Sequence, residues 1–347
     1  MNNITICMIG FGNVGKAFAR LIDRKAESLA LDYDVEIKIV AIATGSHGNA
    51  IDPLGIDPNK ALLAIEGPGT LNGLSTNPAP SDMREFIALS EADFVIEISP
   101  VNYETGEPAI THIRAALQNK MHAVSANKGP VVHAYHELSE LAKINGKQFL
   151  FESAVMDGAP IFSVFREALP CSDIIGFEGI LNSCTNILIE MMEEGSSFNE
   201  AVTYAQSIGI AETDPSGDID GWDASIKVAA LATVLMGIPM KPQDVDRKGI
   251  RDLTPSAIQQ AKNEGKRWKL VCSAELINGK VSAKVAPQLV SPSSPFFSVS
   301  GTSSFVLFKS DVLPGLGILE SNPGPETTAY GLLADILNIL KKEPGNA

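Results

Sequence analysis

Short β-rich apolar runs alternate with amphipathic stretches through the first 150 residues. Ile4–Ile9 predicts a strand that ends in a glycine loop, after which Val14, Phe18, Leu21 and Ile22 share one side of a helix. Val35–Ala43 is a second β-rich run, too short for a typical helix, so the segment has the length of a strand–helix–strand crossover. Strands over Asp93–Ile98, His122–Ala126 and Gln148–Phe151 continue the alternation, with helices over Thr105–Gln118 and Val132–Asn145. This order predicts an α/β fold, a Rossmann-type doubly wound parallel sheet.

The pattern changes after that. Ile161–Ala168, Thr185–Glu194, Phe198–Ile208 and Trp222–Met236 predict helices. Lys269–Ile277 and Lys280–Val285 flank Asn278-Gly279, a type I′ hairpin signal, and Phe305–Phe308 is one more strand. The later half therefore reads as a second, α+β domain with an antiparallel sheet. An amphipathic helix, Glu326–Lys341, follows the turn Asn322-Pro323-Gly324-Pro325 and is expected to return to the first domain. The expected boundaries are 1–147, 148–318 for a substrate-binding and assembly domain, and 319–347 for the closing helix.

Composition narrows the partners. At 347 residues the chain is long for a single core, and 45% hydrophobic with 20% charged residues is ordinary for a globular protein. A net charge of −14 argues against nucleic acid, whose affinity rests on Lys and Arg neutralising phosphates. Cys7, Cys171, Cys184 and Cys272 form no paired motif, which disfavours zinc and iron–sulfur sites and suits reduced thiols in a cytoplasmic protein. The N-terminus reads as a strand, not a secretory signal, and the longest apolar run, near Val228–Met240, is too short to span a bilayer.

Gly10-Phe11-Gly12-Asn13-Val14-Gly15 has the Gly-x-Gly-x-x-Gly spacing directly between a strand and a helix. In that context Gly10 allows the tight turn, Gly12 admits the pyrophosphate, and Gly15 lets helix and strand pack closely. The phosphates then meet free N–H groups at the helix N-terminus. A glycine-rich structural turn is the competing reading. An acidic residue at the end of the second strand would bind the ribose of NAD, yet this strand ends in Ala43-Thr44-Gly45-Ser46-His47, with Asp34 and Glu36 at its start. The pattern favours NADP and leaves NAD open.

The densest cluster of functional groups runs from Glu212 to Asp223, followed by Lys227. A calcium loop starting at Ser216 would need its bidentate Glu at position 227, which is Lys227, so that reading fails. Asp223 and Lys227 are four apart on a predicted helix that is otherwise apolar. An exposed salt bridge is the plain explanation. A charged pair heading a buried helix instead suggests a lysine tuned for proton transfer.

These residues resemble the homoserine dehydrogenase family. The pattern Ala205, Gly209, Ile210, Ala211, Asp214-Pro215, Asp218-Ile219, Gly221, Asp223 and Lys227 matches throughout. Ser125-Ala126-Asn127-Lys128-Gly129-Pro130, Gly179–Asn186 and Asn322-Pro323-Gly324 are also similar to family segments, in the expected order. The resemblance implies interconversion of L-homoserine and L-aspartate 4-semialdehyde with NAD(P), a step toward threonine and methionine. It implies Lys227 as proton donor or acceptor and Lys128 as the second active-site lysine, beside nicotinamide and substrate. Glu212 and Asp223 would bind the substrate, chiefly its ammonium group. Gly209 and Gly324 would approach the cofactor, as would Ser99, whose competing role is a cap before Pro100.

The resemblance further implies a monovalent cation, usually sodium, held mainly by backbone carbonyls of Glu152, Val155, Asp157 and Ala159; Met156 and Asp157 depart from the family's small residues there. It implies a homodimer, or a higher homo-oligomer, built on the sheet around Asn278-Gly279. No aspartate kinase domain is seen, and residue 347 follows the closing helix too soon for a regulatory domain, so threonine feedback through one is not expected. Two alternatives stand beside this reading: a dehydrogenase of another amino-acid-derived alcohol or aldehyde, and a catalytically silent NAD(P) sensor. Lys128, Asp223 and Lys227 speak against the sensor, since binding alone requires none of them.

Overall fold

A computed structural model describes residues 1–342. The chain divides into two units, one comprising Met1–Gly158 with the chain from Pro325 onward, the other Ala159–Gly324.

In the first unit, strands β1 (Asn2–Ile9), β2 (Val35–Ala43), β3 (Asn49–Ile51), β4 (Phe94–Glu97), β5 (His122–Ser125) and β6 (Phe149–Leu150) form one sheet in the order β3-β2-β1-β4-β5-β6. Every pairing is parallel except that of β3 with β2. Helices α1 (Asn13–Tyr33), α2 (Pro58–Glu66), α3 (Met83–Ser90), α4 (Ala109–Gln118), α5 (Lys128–His133) and α6 (Tyr135–Ile144) connect the strands. Two apolar clusters bury the central strands, one with Ile6, Met8, Phe18 and Ile96, the other with Cys7, Ile9, Val95 and Phe86. Strands buried on both faces explain why their sequences are continuous apolar runs.

The second unit contains β7 (Ile174–Ile180), α7 (Ser183–Glu193), α8 (Phe198–Ser207), α9 (Ser216–Ile219), α10 (Trp222–Leu235), β8 (Asp246–Arg247), α11 (Pro255–Asn263), β9 (Arg267–Ile277), β10 (Lys280–Val290), β11 (Ser304–Ser310) and β12 (Leu316–Glu320). Its sheet runs β12-β11-β7-β9-β10-β8, antiparallel except for β8 against β10. At the β9–β10 turn Asn278 and Gly279 have φ of 50° and 76°, the left-handed pair a type I′ turn requires.

Several expectations need correction. The boundary at 147 cuts the first unit, because Phe149 and Leu150 pair with Ala123 and Val124 of its sheet. Residues 319–324 stay with the second unit, where Leu319 and Glu320 pair with Phe305 and Ser304. Of the segment 319–347, residues 343–347 lie outside the described residues. The helix from Pro325, α12 (Pro325–Leu340), packs with Leu332, Leu333 and Ile336 in the core that also buries Phe18 and Leu29 of α1. The single helix expected over Val132–Asn145 is two, interrupted at Ala134 (φ −141°). Its first part begins earlier because the Asn127 side chain accepts from Gly129 N–H at 2.9 Å, and Pro130 is tolerated in a first turn. Ile161–Ala168 holds a π-turn over Val164–Ala168.

Strand β7 has no strand signature in the sequence because Gly176 and Gly179 break its apolar run. Packing explains the second glycine: a Cβ there would be driven into the Phe305 carbonyl of β11. Gly179→Ala is therefore expected to destabilise the protein by about 2 kcal/mol, read as a lower urea midpoint with an unchanged slope.

Candidate functional site

The carboxyl ends of the parallel strands gather the first group of residues. Gly10 N–H donates to Ala43 carbonyl at 2.8 Å, and Ile98 N–H to Ile9 carbonyl at 2.9 Å, so the ends of β1, β2 and β4 lie side by side. Gly10 has φ of +105°, and a Cβ on it would lie 2.7 Å from Ile98 carbonyl oxygen. Gly12 is the N-cap of α1, with no side chain capping that end and open space where its Cβ would be. Backbone N–H groups of the first turn thus face outward without a side-chain acceptor, the arrangement that receives a phosphate. Phe11 is buried in the core and Val14 packs against it, so these two bring backbone alone to a ligand, while Asn13 is exposed.

Beyond β2 the chain turns tightly. Thr44 Oγ1 donates to Gly48 carbonyl at 2.9 Å and accepts from His47 N–H at 2.9 Å, and Ser46 Oγ lies 2.8 Å from His47 Nδ1. No carboxylate takes part in this turn. Asp34 sits at the opposite end of the strand, paired with the N-terminal ammonium at 3.1 Å.

Ser99 and Lys128 follow β4 and β5. Asn127 Nδ2 donates to the carbonyls of Ser99 at 3.0 Å and Pro100 at 3.3 Å, while its Oδ1 caps α5. This buried amide joins the segment carrying Ser99 to the helix that begins with Lys128, itself half-buried. In the cation segment, Glu152 N–H donates to Asp335 at 2.7 Å and Thr328 Oγ1 donates to Asp157 at 2.6 Å. Val155 is buried, and Ala159 carbonyl accepts from Ile161 N–H at 2.9 Å. Among the described residues no three His, Cys, Asp or Glu side chains gather as a metal cage. A cation on this segment would therefore rest on carbonyl oxygens, the hard donors that suit sodium.

The second unit assembles its groups around helix α10, which is buried on almost every side. Lys227 Nζ donates to Leu181 carbonyl at 2.7 Å and pairs with Asp223 Oδ2 at 3.1 Å; the side chains are only 14% and 12% exposed. Asn182 Nδ2 donates to Asp223 at 2.9 Å and to Asp218 at 2.6 Å. Its Oδ1 accepts from Thr185 N–H and hydroxyl, both at 2.8 Å, and so caps α7. One amide thus ties three helices and two carboxylates together. Gly221, with φ of +80°, starts α10; Arg247 lies over the Trp222 ring at 3.7 Å, and Arg251 pairs with Asp220 at 2.9 Å.

Glu212 stands outside this network. It is exposed, on a loop whose carbonyls at 212 and 213 accept from Gln206 at 3.1 Å. Gly209 (φ +74°) and Gly324 have open space where a Cβ would lie. Sequence reasoning left out Asn182 and Asp218 as site residues, although Asn182-Ser183-Cys184-Thr185-Asn186 and Asp218 were part of the matching pattern; their roles depend on contacts 36 and 41 residues apart.

Burial and the Asp223 charge push the Asp218 carboxyl up to about 6, against the hydrogen bond from Asn182. Burial and the Asp218 carboxylate raise the Cys184 thiol, and burial pushes that of Cys272 up to about 12, so both stay protonated.

Two predictions follow from these geometries. The Asp218 carboxyl binds its proton more tightly folded than unfolded, where the ordinary value is 3.8, so stability falls as pH rises from about 4 to about 6. Asp218→Asn should remove that slope in melting temperatures measured across the interval; an unchanged slope would mean a solvated carboxyl. Gly12→Ala should leave the melting temperature within about 2 °C, its Cβ meeting open space, yet weaken dinucleotide binding about tenfold or more by calorimetry.

Comparison with known proteins identifies this arrangement. Residues 160–337 match the model of the homoserine dehydrogenase family, and residues 10–152 that of the homoserine dehydrogenase NAD binding domain. The chain is 38% identical over 335 residues to the homoserine dehydrogenase of Methanocaldococcus jannaschii, covering 96% of this chain and 98% of the relative. It is 34% identical to the NAD(+)-dependent homoserine dehydrogenase of Pseudomonas canavaninivorans, covering 98% and 97%. Its fold is similar to that of a hyperthermophilic archaeal homoserine dehydrogenase in complex with NADPH, with a TM-score of 0.83 at 28% identity and full coverage of both chains. A putative homoserine dehydrogenase from Archaeoglobus fulgidus gives a TM-score of 0.83 at 29% identity, covering 97% and 99%. The chain belongs to the homoserine dehydrogenase family of NAD(P)-dependent oxidoreductases.

Proposed function

We propose that this protein interconverts L-homoserine and L-aspartate 4-semialdehyde, with Lys227 moving the proton at the substrate oxygen. The observation that carries the proposal is the fixing of Lys227 by Leu181 carbonyl and Asp223, at 2.7 and 3.1 Å, on a buried helix. These two contacts fix where the ammonium sits on the helix. When bound, NAD(P)H supplies a hydride to the aldehyde carbon. The negative charge that develops on the aldehyde oxygen is met by a proton from Lys227, giving the alcohol; the reverse direction returns the proton to the lysine. Asp223 and Glu212 take the substrate ammonium, with Asp218 adding a second carboxylate beside Asp223, and Lys128 serves as the second lysine near the nicotinamide.

The dinucleotide phosphates rest on the backbone of the loop Gly10-Phe11-Gly12-Asn13-Val14-Gly15, with Ser99, Gly209 and Gly324 beside the cofactor. NADP is the preferred form, supported by a turn after β2 that offers Thr44, Ser46 and His47 and no carboxylate to repel a 2′-phosphate. Sodium is held by carbonyls of Glu152, Val155, Asp157 and Ala159. A homodimer formed through the second unit is supported by exposed Ile175, Leu276, Ile277 and Leu319 on its strands. No helix among the described residues is long and apolar enough to cross a membrane; the proposed site of action is the cytoplasm.

Purified protein should reduce NADP+ with L-homoserine at mildly alkaline pH, and NADPH should reduce aspartate semialdehyde. Turnover in neither direction with either cofactor would overturn the proposal. Lys227→Ala should lower kcat by roughly 10²- to 10⁴-fold while the Kd for NADPH stays unchanged; near-normal kcat would move the proton transfer to Lys128.

A further inference from the structure

A buried carboxylate lies under the cofactor side of the first unit, and the chemistry above makes no use of it. Glu97, the last residue of β4, is wholly inaccessible to solvent. Its neighbours across the ladder are Ile9, the residue before Gly10, and Ser125, three residues before Lys128. Its Oε1 accepts from Ser99 N–H at 2.8 Å and from the Ser99 hydroxyl; its Oε2 lies 2.6 Å from Nδ1 of buried His112 on α4. A carboxylate is costly to bury at the end of a central strand, where an apolar residue would pack as well. Two of its three partners belong to Ser99, so it is Ser99 that the carboxylate organises.

The consequence is chemical. A serine hydroxyl has one proton, and here it is committed to Glu97. The Ser99 carbonyl is likewise held by Asn127. Ser99 Oγ can therefore offer only lone pairs to a ligand. An acceptor of that kind repels phosphate oxygens, which are acceptors too, so it does not suit the pyrophosphate. It suits a group that only donates, and the carboxamide –NH₂ of nicotinamide is such a group. Ser99 is half-buried at the carboxyl end of the central strands, where β1 and β4 part and an open α/β sheet binds its ligand.

We infer that Glu97 is a positioning residue that fixes Ser99 as a hydrogen-bond acceptor for the nicotinamide carboxamide. The inference rests on the cofactor placement proposed above. It is tested by calorimetric Kd values, without amino-acid substrate, for NADP+ (or NAD+ if it binds tighter) and for the matching 3-acetylpyridine analogue, whose methyl ketone cannot donate. Wild type should bind the natural cofactor about tenfold more tightly than the analogue, the scale of one hydrogen bond. Ser99→Ala should erase that preference by weakening only the natural cofactor, and Ser99→Thr, which keeps the hydroxyl, should retain it. Glu97→Gln should shrink the preference, because an amide N–H can occupy the hydroxyl's lone pair. If that variant does not fold, the two Ser99 variants carry the test. Equal weakening of both ligands by Ser99→Ala, or no change in either, overturns the inference. Failure of wild type to bind any of these dinucleotides overturns the cofactor placement itself.

Discussion

The side-chain amide of Asn182 is the contact on which the polar cluster around Lys227 depends. Two carboxylates, Asp218 and Asp223, are brought close in a half-buried place, where their mutual repulsion and desolvation oppose folding. The amide donates to both, while its oxygen caps α7. Asp223 can then hold Lys227, and Leu181, the residue before Asn182, offers its carbonyl to the same ammonium. Remove the amide and the carboxylates lose their shared donor, the lysine loses its orientation, and α7 loses its cap. A buried network of this sort favours one arrangement because a partly satisfied alternative is costly.

The cofactor half repeats the principle with different residues. Glu97 is buried among donors from Ser99 and His112, and Asn127 ties Ser99 to the start of α5. In each unit one partly exposed polar side chain, Lys227 or Ser99, is the outer member of a polar cluster whose inner members are buried. Rigidity of the outer group comes from the inner ones, which is why such clusters repay the cost of burying charge.

Much of the fold was legible in the chain. Ile39–Ala43 is a continuous apolar run because that part of β2 is covered on both faces, and the hairpin at Asn278-Gly279 was legible because only a few residues adopt positive φ twice in succession. Elements whose signals lie in their neighbours were not legible. The glycines of β7 look like loop residues until β11 is laid beside them, and β3, at three residues, is too short for a period to emerge. The boundary at 147 failed for a similar reason: β6 is two residues long and belongs to the first sheet through pairing alone. On the site, Lys227 and Asp223 were visible from their spacing on an apolar helix; Asn182 stood in a matching segment that did not show its partners, and Glu97 and His112 had no local mark.

By itself the sequence determined the alternation of strands and helices, the glycine loop between β1 and α1, and the Asp223–Lys227 pair, because each depends on residues a few positions apart and on periods of the backbone. The tertiary structure decided which polar side chains serve those features. Asn182 meets Asp218 and Asp223 across 36 and 41 residues, and His112 meets Glu97 across 15, through contacts that exist only once helices and strands have packed. A buried amide or carboxylate reads in a linear sequence like any surface polar residue, since its meaning lies in the donors that folding brings to it.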